Sequence, residues 1–250
     1  MLDVIITSTC RKTIENTLES FTRNVKCSDA FRYIVNVDVK NPKYLDRLNW
    51  FLAGKGIRDV RINQHPAEMP RAHAEAINYL FNRVRSPFFF HLEDDWLFLK
   101  KIDLDPMIEI MQNHDDIDQI RFNKQRTKDY AWLYHISTED IPKYRKPNRN
   151  TVLNGMNMVQ TWVWSFNPSI GRTATVQSVM PFPPFPNPEK YLCYRYDKIY
   201  GTRGAYIWGR IGDRAAVRDI GYERLILLKR IKRKIVKTYQ HLGVTSKSRG

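Results

Sequence analysis

Cysteine is scarce. Three residues, Cys10, Cys27 and Cys193, stand far apart in a chain of 250. They form no CxxC pair, so they supply neither a zinc site nor a disulfide framework. Sparse, unpaired cysteines suit a reducing compartment, and a cytoplasmic setting is expected. Long apolar runs are missing too: none approaches the ~18 residues of a membrane span. Residues 3–9, Asp-Val-Ile-Ile-Thr-Ser-Thr, already read as a strand, so no basic and apolar leader is expected ahead of the fold. The expectation is a protein that is soluble or peripheral to a membrane. There is no internal repeat, and no glycine-rich phosphate loop follows the first strand. Bulk disorder is ruled out, because 42% apolar and 12% aromatic residues are ordinary for a globular domain.

Acidic residues are in deficit, 26 against 41 Lys and Arg, giving a net charge of +15. The excess is unevenly spread. Residues 222–250 hold nine Lys/Arg and one acidic residue, a net of +8, and leave only +7 for the other 221. The chain therefore reads as one α/β domain over 1–221 followed by a basic tail over 222–250. Within the tail, 222–239 has helical spacing. Leu228, Ile231, Ile235 and Tyr239 share one face, and Lys229, Arg230, Lys232, Arg233, Lys234 and Lys237 crowd the rest. Basic amphipathic helices suit anionic membrane surfaces. The alternative is a terminal helix packed on the domain with a solvated basic face.

The front half alternates strand and helix, the pattern of a mainly parallel twisted sheet with helices on both faces. Strands are expected at 4–8, 31–37, 59–62 and 88–92. Helices are expected where Ile14, Leu18 and Phe21 form one stripe, where Leu45, Leu48 and Leu52 form another, and over 71–84. Asn41-Pro42 reads as an N-cap followed by proline at the first helical position, and Gly54 and Gly56 as the stop. Phe88-Phe-Phe-His-Leu92 is apolar almost throughout, as a strand covered on both faces should be. Later come a helix at 105–113, a strand at 117–122, polar and irregular chain over 123–157 and a strand at 158–166. The run Pro181-Phe-Pro-Pro-Phe-Pro-Asn-Pro188 is compatible with neither helix nor central strand.

The strand at 88–92 ends abruptly in Glu93-Asp94-Asp95-Trp96. Open α/β sheets bind ligands at the carboxyl ends of their strands. Three adjacent carboxylates repel one another unless a cation sits among them. Mg²⁺ or Mn²⁺ fits, being satisfied by one or two carboxylates with diphosphate oxygens and waters completing the shell. The competing account is a solvated acidic turn, with Trp96 as plain core.

Four segments together resemble GT-A fold glycosyltransferases, nearest to glycosyltransferase family 2. They are DVIITSTCRKTIENTLESF, YIVNVD, FFFHLEDDW, and a late PEKY followed by VRDIG. The resemblance implies a metal-dependent enzyme that moves a sugar from a nucleotide-sugar donor to a glycan or lipid-linked acceptor, with inversion. It implies Thr7, Thr9 and Asp38 in the nucleotide pocket, with Arg71 and His73 toward the diphosphate. In the Asp-x-Asp motif of the family, Glu93 and Asp95 take the outer positions and Asp94 the middle, with Glu93 and Asp94 also expected at the nucleotide sugar. Asp95 is the metal ligand matched without substitution, and Glu93 joins it. Asp219 stands where the family often has a metal-binding histidine.

The implied base is Glu189, which follows Asn187-Pro188 in the first turn of a helix, where the dipole favours its charged form. Asp197 is the next candidate. Each residue keeps an ordinary alternative: Asp38 as cap of the turn before Pro42, Thr7 and Thr9 as plain strand residues, Arg71 and His73 as solvent-facing, Glu189 as a dipole partner alone, Asp219 in an ion pair. Three rivals stay open. A nucleotidyltransferase also sets carboxylates and a metal on an α/β sheet. A nucleic-acid-binding protein would use the basic tail, although no helix-turn-helix, zinc or RNA-recognition motif is present. A degenerate binding module would have no turnover.

Overall fold

The computed structural model describes residues 1–40, 42–125, 127–134, 143–200 and 204–221. The basic tail, residues 222–250, lies outside them. In chain order the elements are β1 (Leu2–Ser8), α1 (Thr13–Asn24), β2 (Val25–Lys26), β3 (Phe31–Asp38), a 3₁₀ turn (Pro42–Tyr44), α2 (Leu45–Gly54), β4 (Asp59–Asn63), α3 (Arg71–Phe81), β5 (Phe88–Glu93), β6 (Trp96–Phe98), β7 (Ile102–Asp103) and α4 (Asp105–Asn113). The second half adds β8 (Ile117–Arg121), β9 (Tyr130–Tyr134), β10 (Lys143–Pro147), β11 (Arg149–Leu153), β12 (Met156–Thr161), β13 (Ser169–Arg172), α5 (Thr173–Gln177), α6 (Pro188–Tyr200), β14 (Gly204–Trp208) and β15 (Val217–Asp219).

Nine strands among the described residues make one sheet, in the order β11-β12-β14-β8-β13-β5-β1-β3-β4. The four from β5 to β4 are mutually parallel. Strand order runs outward on both sides of β1, so β1 and β5 flank a switch point, where a crevice opens at the strands' carboxyl ends. β13 then inserts antiparallel between β5 and β8, and the sheet becomes mixed.

Alternation along the central strands feeds two cores. Val4, Ile6, Phe88, Phe90 and Leu92 point to one face, against Ile14, Leu18 and Phe21 of α1 and Met107 and Ile110 of α4. Ile5, Ile34 and Phe89 point to the other, against Ile77, Leu80 and Phe81 of α3 and Val176, Leu192 and Tyr196 of the back half. Such two-sided burial explains why Phe88–Leu92 carries no polar alternation. The amino ends of the strands are tied by Asp3. It is buried and accepts from Arg32 Nε and Nη2 at 2.6 and 2.8 Å and from the Arg85 and Ser86 amides at 2.7 and 3.0 Å.

The expected front half is observed. Two boundaries differ by three residues: α3, expected over 71–84, ends at Phe81, and Pro42 opens a 3₁₀ turn, so that α2 begins only at Leu45. Its carboxyl end is as read. Gly56 has φ +70°, its amide donates to the Ala53 carbonyl, and the Ile57 amide donates to that of Leu52, the Schellman pattern.

The back half departs further from expectation. Residues 123–157 are not uniformly irregular, since β9, β10, β11 and the start of β12 lie within them. β11 is an edge strand with exposed Arg149, Asn150 and Val152, so it carries no apolar stripe to detect. Cations over rings replace aliphatic packing here, with Arg145 3.6 Å from the centroid of Tyr130 and Lys146 4.1 Å from that of Trp162. The strand expected over 158–166 ends at Thr161, and residues 162–168 leave the sheet before β13.

Candidate active site

Two clefts open at the carboxyl ends of the parallel strands. The smaller, of about 150 Å³, is lined by Thr7, Thr9, Arg11, Asp38, Lys40 and the acidic run, among others. The larger, of about 400 Å³, holds Trp96, Arg121, Lys128, Trp164, Glu189 and Asp219. His73 and Glu93 line both. The strand register produces this neighbourhood: Thr7 pairs with Asn36 on one side and Glu93 on the other, and Asp38 pairs with Asn63.

Asp38 is nearly buried. Its Oδ1 accepts from Asn36 Nδ2 at 3.2 Å and Asn63 Nδ2 at 3.1 Å. These are side-chain amides from its own and the next strand, and the carboxylate lines the smaller cleft. Thr9 Oγ1 is screened from solvent and has no hydrogen-bond partner among the described residues, a polar atom beside the same cleft.

The three acidic residues separate into different environments. Asp94 is buried, and its Oδ2 accepts from Ser8 Oγ and the Thr9 amide, both at 2.8 Å. It pins the loop after β1. Burial pushes its pKa up, and Arg11, the Thr9 amide and Ser8 oppose that. Asp95 is raised to about 6, by burial first and then by the Asp94 charge, with Asp219 adding to it. Its Oδ2 meets Arg11 Nη1 at 3.0 Å. Glu93 is raised to about 8 by burial, then by the charges of Asp95 and Glu189, against an opposing hydrogen bond from Trp96 Nε1 at 3.2 Å. Trp96 is both buried core and cavity wall.

Asp219 arrives from the far end of the chain because β15 pairs antiparallel with β6, setting Asp219 opposite Trp96. The Ile220 amide then donates to the Asp95 carbonyl at 2.9 Å. Gly221 lies so close that a Cβ there would collide with Asp95 Oδ2. Lys124 Nζ is 3.8 Å from Asp219. Among the described residues no three His, Cys, Asp or Glu side chains converge as a ready-made metal site. The donor set nevertheless suits a hard dication. Gly221 leaves room at the Asp95 carboxylate that a side chain would fill, the Asp219 charge acts on Asp95, and burial with neighbouring negative charge raises both Glu93 and Asp95, as a bound dication would relieve.

Glu189 sits in the first turn of α6, with Asn187 Oδ1 accepting from the Lys190 amide at 2.9 Å as the helix cap. Its Oε1 accepts from Ser165 Oγ at 2.8 Å and the Phe166 amide at 3.0 Å. The residues that leave the sheet after β12 thus hold this carboxylate in the larger cavity. Asp197 does not reach the cavity wall and lies 3.8 Å from Lys146 Nζ. Arg71 is also not brought to the site: it is exposed and pairs with Glu75 one turn along α3 at 2.8 Å. Two turn-like positions apart on one helix, His73 points inward where Arg71 points out, and burial lowers its pKa.

The sequence reading missed Arg121, Ser165, Trp164 and Lys128. For Arg121 a signal existed, since a lone cation between Ile120 and Phe122 at the end of a buried strand is out of pattern.

No protein-family model matches the chain, and no curated protein matches it in sequence. Solved structures do. TarS of S. aureus (residues 1–349) superposes with a TM-score of 0.52 at 14% identity, over 88% of this chain and 60% of that one. A mannosyltransferase of Pyrobaculum calidifontis, solved with GDP-Man and Mn²⁺, gives 0.54 at 9% identity, over 83% and 54%. GalNAc-T7, solved with UDP, GalNAc and Mn²⁺, gives 0.58 at 9% identity, over 83% and 42%. These neighbours are GT-A glycosyltransferases, and the chain has their fold. It spans 60% or less of the length of each of these three solved chains.

Proposed function

We propose that this protein transfers a sugar from a nucleoside-diphosphate sugar to an acceptor hydroxyl, with inversion at the anomeric carbon. The observation that carries the reading is the pair of clefts sharing Glu93 and His73, with Asp38 on one side and Glu189 on the other. The nucleotide lies in the smaller cleft, where Asp38 accepts from the base or ribose and Thr7 and Thr9 offer hydroxyls. The diphosphate then falls beside Asp95. A divalent cation, Mn²⁺ or Mg²⁺, would be held by Asp95 and Asp219 with Glu93 adjoining, and when bound it neutralises charge on the leaving diphosphate. Asp94 shapes the loop after β1 at the wall of this cleft.

Glu189 does the proton work. One oxygen is fixed by Ser165 and Phe166, and the other is left for an acceptor hydroxyl, from which it takes the proton as that oxygen attacks the sugar. The acceptor, a glycan or a lipid-linked sugar, occupies the larger cavity.

The test is donor binding and turnover across UDP- and GDP-sugars with and without Mn²⁺. Asp95→Asn is expected to abolish turnover while the fold melts cooperatively. Glu189→Gln should lower the rate at least ~100-fold with donor affinity nearly intact. Full activity in excess EDTA, or near-normal turnover in Glu189→Gln, defeats the corresponding part of the mechanism.

A further inference from the structure

The wall of the larger cavity has an electrostatic imbalance that sugar transfer to a neutral hydroxyl does not use. Four cations line it, Arg121, Lys124, Lys128 and Lys190, against three carboxylates, Glu93, Glu189 and Asp219. Lys124 is engaged with Asp219 and lies 5.5 Å from the ring of Trp96. Arg121 is the most telling. It ends β8 beneath the cavity, and among the described residues its one side-chain hydrogen bond is a long contact from Nη2 to Thr161 Oγ1 at 3.5 Å. Burial lowers its pKa to about 10 even with the Glu189 charge supporting the cation. Arg121 is half-buried with no closely matched acceptor among the described residues, and a planar fork of five donors facing the cavity is suited to a carboxylate or phosphate. Lys128 Nζ stands on the rim, 5.6 Å from the ring of Tyr130.

We propose that the acceptor bears an oxyanion, a phosphate or a carboxylate, which docks on Arg121 and Lys128 while its hydroxyl faces Glu189. This rests on the reading of the larger cavity as the acceptor side. Arg121 lines that cavity and not the smaller cleft, so the donor diphosphate does not account for it. The pairing also explains how a cation persists beside the base without a direct ion pair: the anion that satisfies it arrives with the substrate.

The probes are glycerol 1-phosphate and methyl glucuronide, each against its neutral counterpart, glycerol and methyl glucoside. Binding is measured by calorimetry on the whole chain with saturating UDP or GDP and Mn²⁺, so that the donor cleft is filled, and again without nucleotide. At least one anionic probe should bind tenfold or more tighter than its neutral counterpart, and whichever does so identifies the oxyanion. That preference should vanish in Arg121→Gln, survive partly in Arg121→Lys, and weaken in Lys128→Gln, whose exposed position spares the fold. Added salt should erode it. Equal binding of charged and neutral probes, or an anion preference untouched by both Arg121→Gln and Lys128→Gln, overturns the proposal. Failure of every nucleotide to bind is a separate result, which sinks the donor-cleft reading and leaves the anion comparison without nucleotide to decide the Arg121 site.

Discussion

His91 and Glu93 lie two residues apart on β5, yet burial acts on them in opposite directions, because it penalises whichever form is charged. His91 is fully enclosed, and its Nδ1 stands 2.8 Å from the Phe166 carbonyl oxygen, which can only accept, so Nδ1 carries the proton. Its pKa falls to about 3, from an ordinary value of 6.5. Between those values the unfolded chain binds a proton that the folded chain refuses. Stability from this group is therefore lost as pH drops below 6.5, at about 1.4 kcal/mol per unit. Glu93 and Asp95 have raised values, so their contribution runs the other way, present in acid and lost as pH climbs through about 6 and about 8. The wild-type curve mixes both signs, and a variant separates them. In His91→Asn a side-chain amide still donates to the Phe166 carbonyl but cannot titrate. From pH 7 to pH 5 the wild type should lose about 2 kcal/mol relative to this variant, read from denaturant melts. A pH-independent difference would mean that His91 is not held neutral.

The elements differ in how openly the sequence announced them, for physical reasons. α2 carried its stop signal in plain view, since a left-handed residue needs glycine, and Gly56 supplies it. Gly56→Ala should destabilise by about 1 kcal/mol in chemical denaturation, through the backbone alone, because an added Cβ there meets nothing. α1 was legible through Ile14, Leu18 and Phe21. Its polar residues were not: Thr17 Oγ1 and Ser20 Oγ accept the amides of Trp96 and Phe98, and this steers β6 and Asp95 beside it. Such a duty leaves no periodic trace.

Residues that meet across long separations were the least legible. Glu189 and Phe166, or Asp95 and Gly221, come together only after the sheet is assembled, and β13 and β14 are too short to show a period. The Asp95–Gly221 approach gives a sharp prediction at this scale. Gly221→Ala leaves the cores untouched but drives a methyl into the Asp95 carboxylate. The melting temperature should change little, while Mn²⁺-dependent transfer falls about 100-fold, the cost of misplacing a reacting group by about an ångström. Unchanged kinetics would remove Asp95 from the reaction.

At the scale of the whole molecule the charge is lopsided: the described fold ends at Gly221, and the nine Lys/Arg of 222–250 lie beyond it. No described helix is long and apolar enough to cross a membrane. Six of the tail's cations fall between 229 and 237. At about 1 kcal/mol each near an anionic leaflet, they supply a few kcal/mol even after heavy discounting, and Leu228, Ile231 and Ile235 add apolar burial if they share a face. Full-length protein should therefore sediment with phosphatidylglycerol vesicles and release as salt rises, since the Debye length shrinks from ~10 Å at 0.1 M to ~3 Å at 1 M. Deleting 222–250 should abolish sedimentation while donor binding persists in solution. Duplex DNA and single-stranded RNA attract the same charges and serve as competitors. Displacement by nucleic acid at equal charge concentration would favour a nucleic-acid role for the tail. Equal, salt-insensitive behaviour of the two proteins would place these residues within the folded body and remove the membrane surface from the reading.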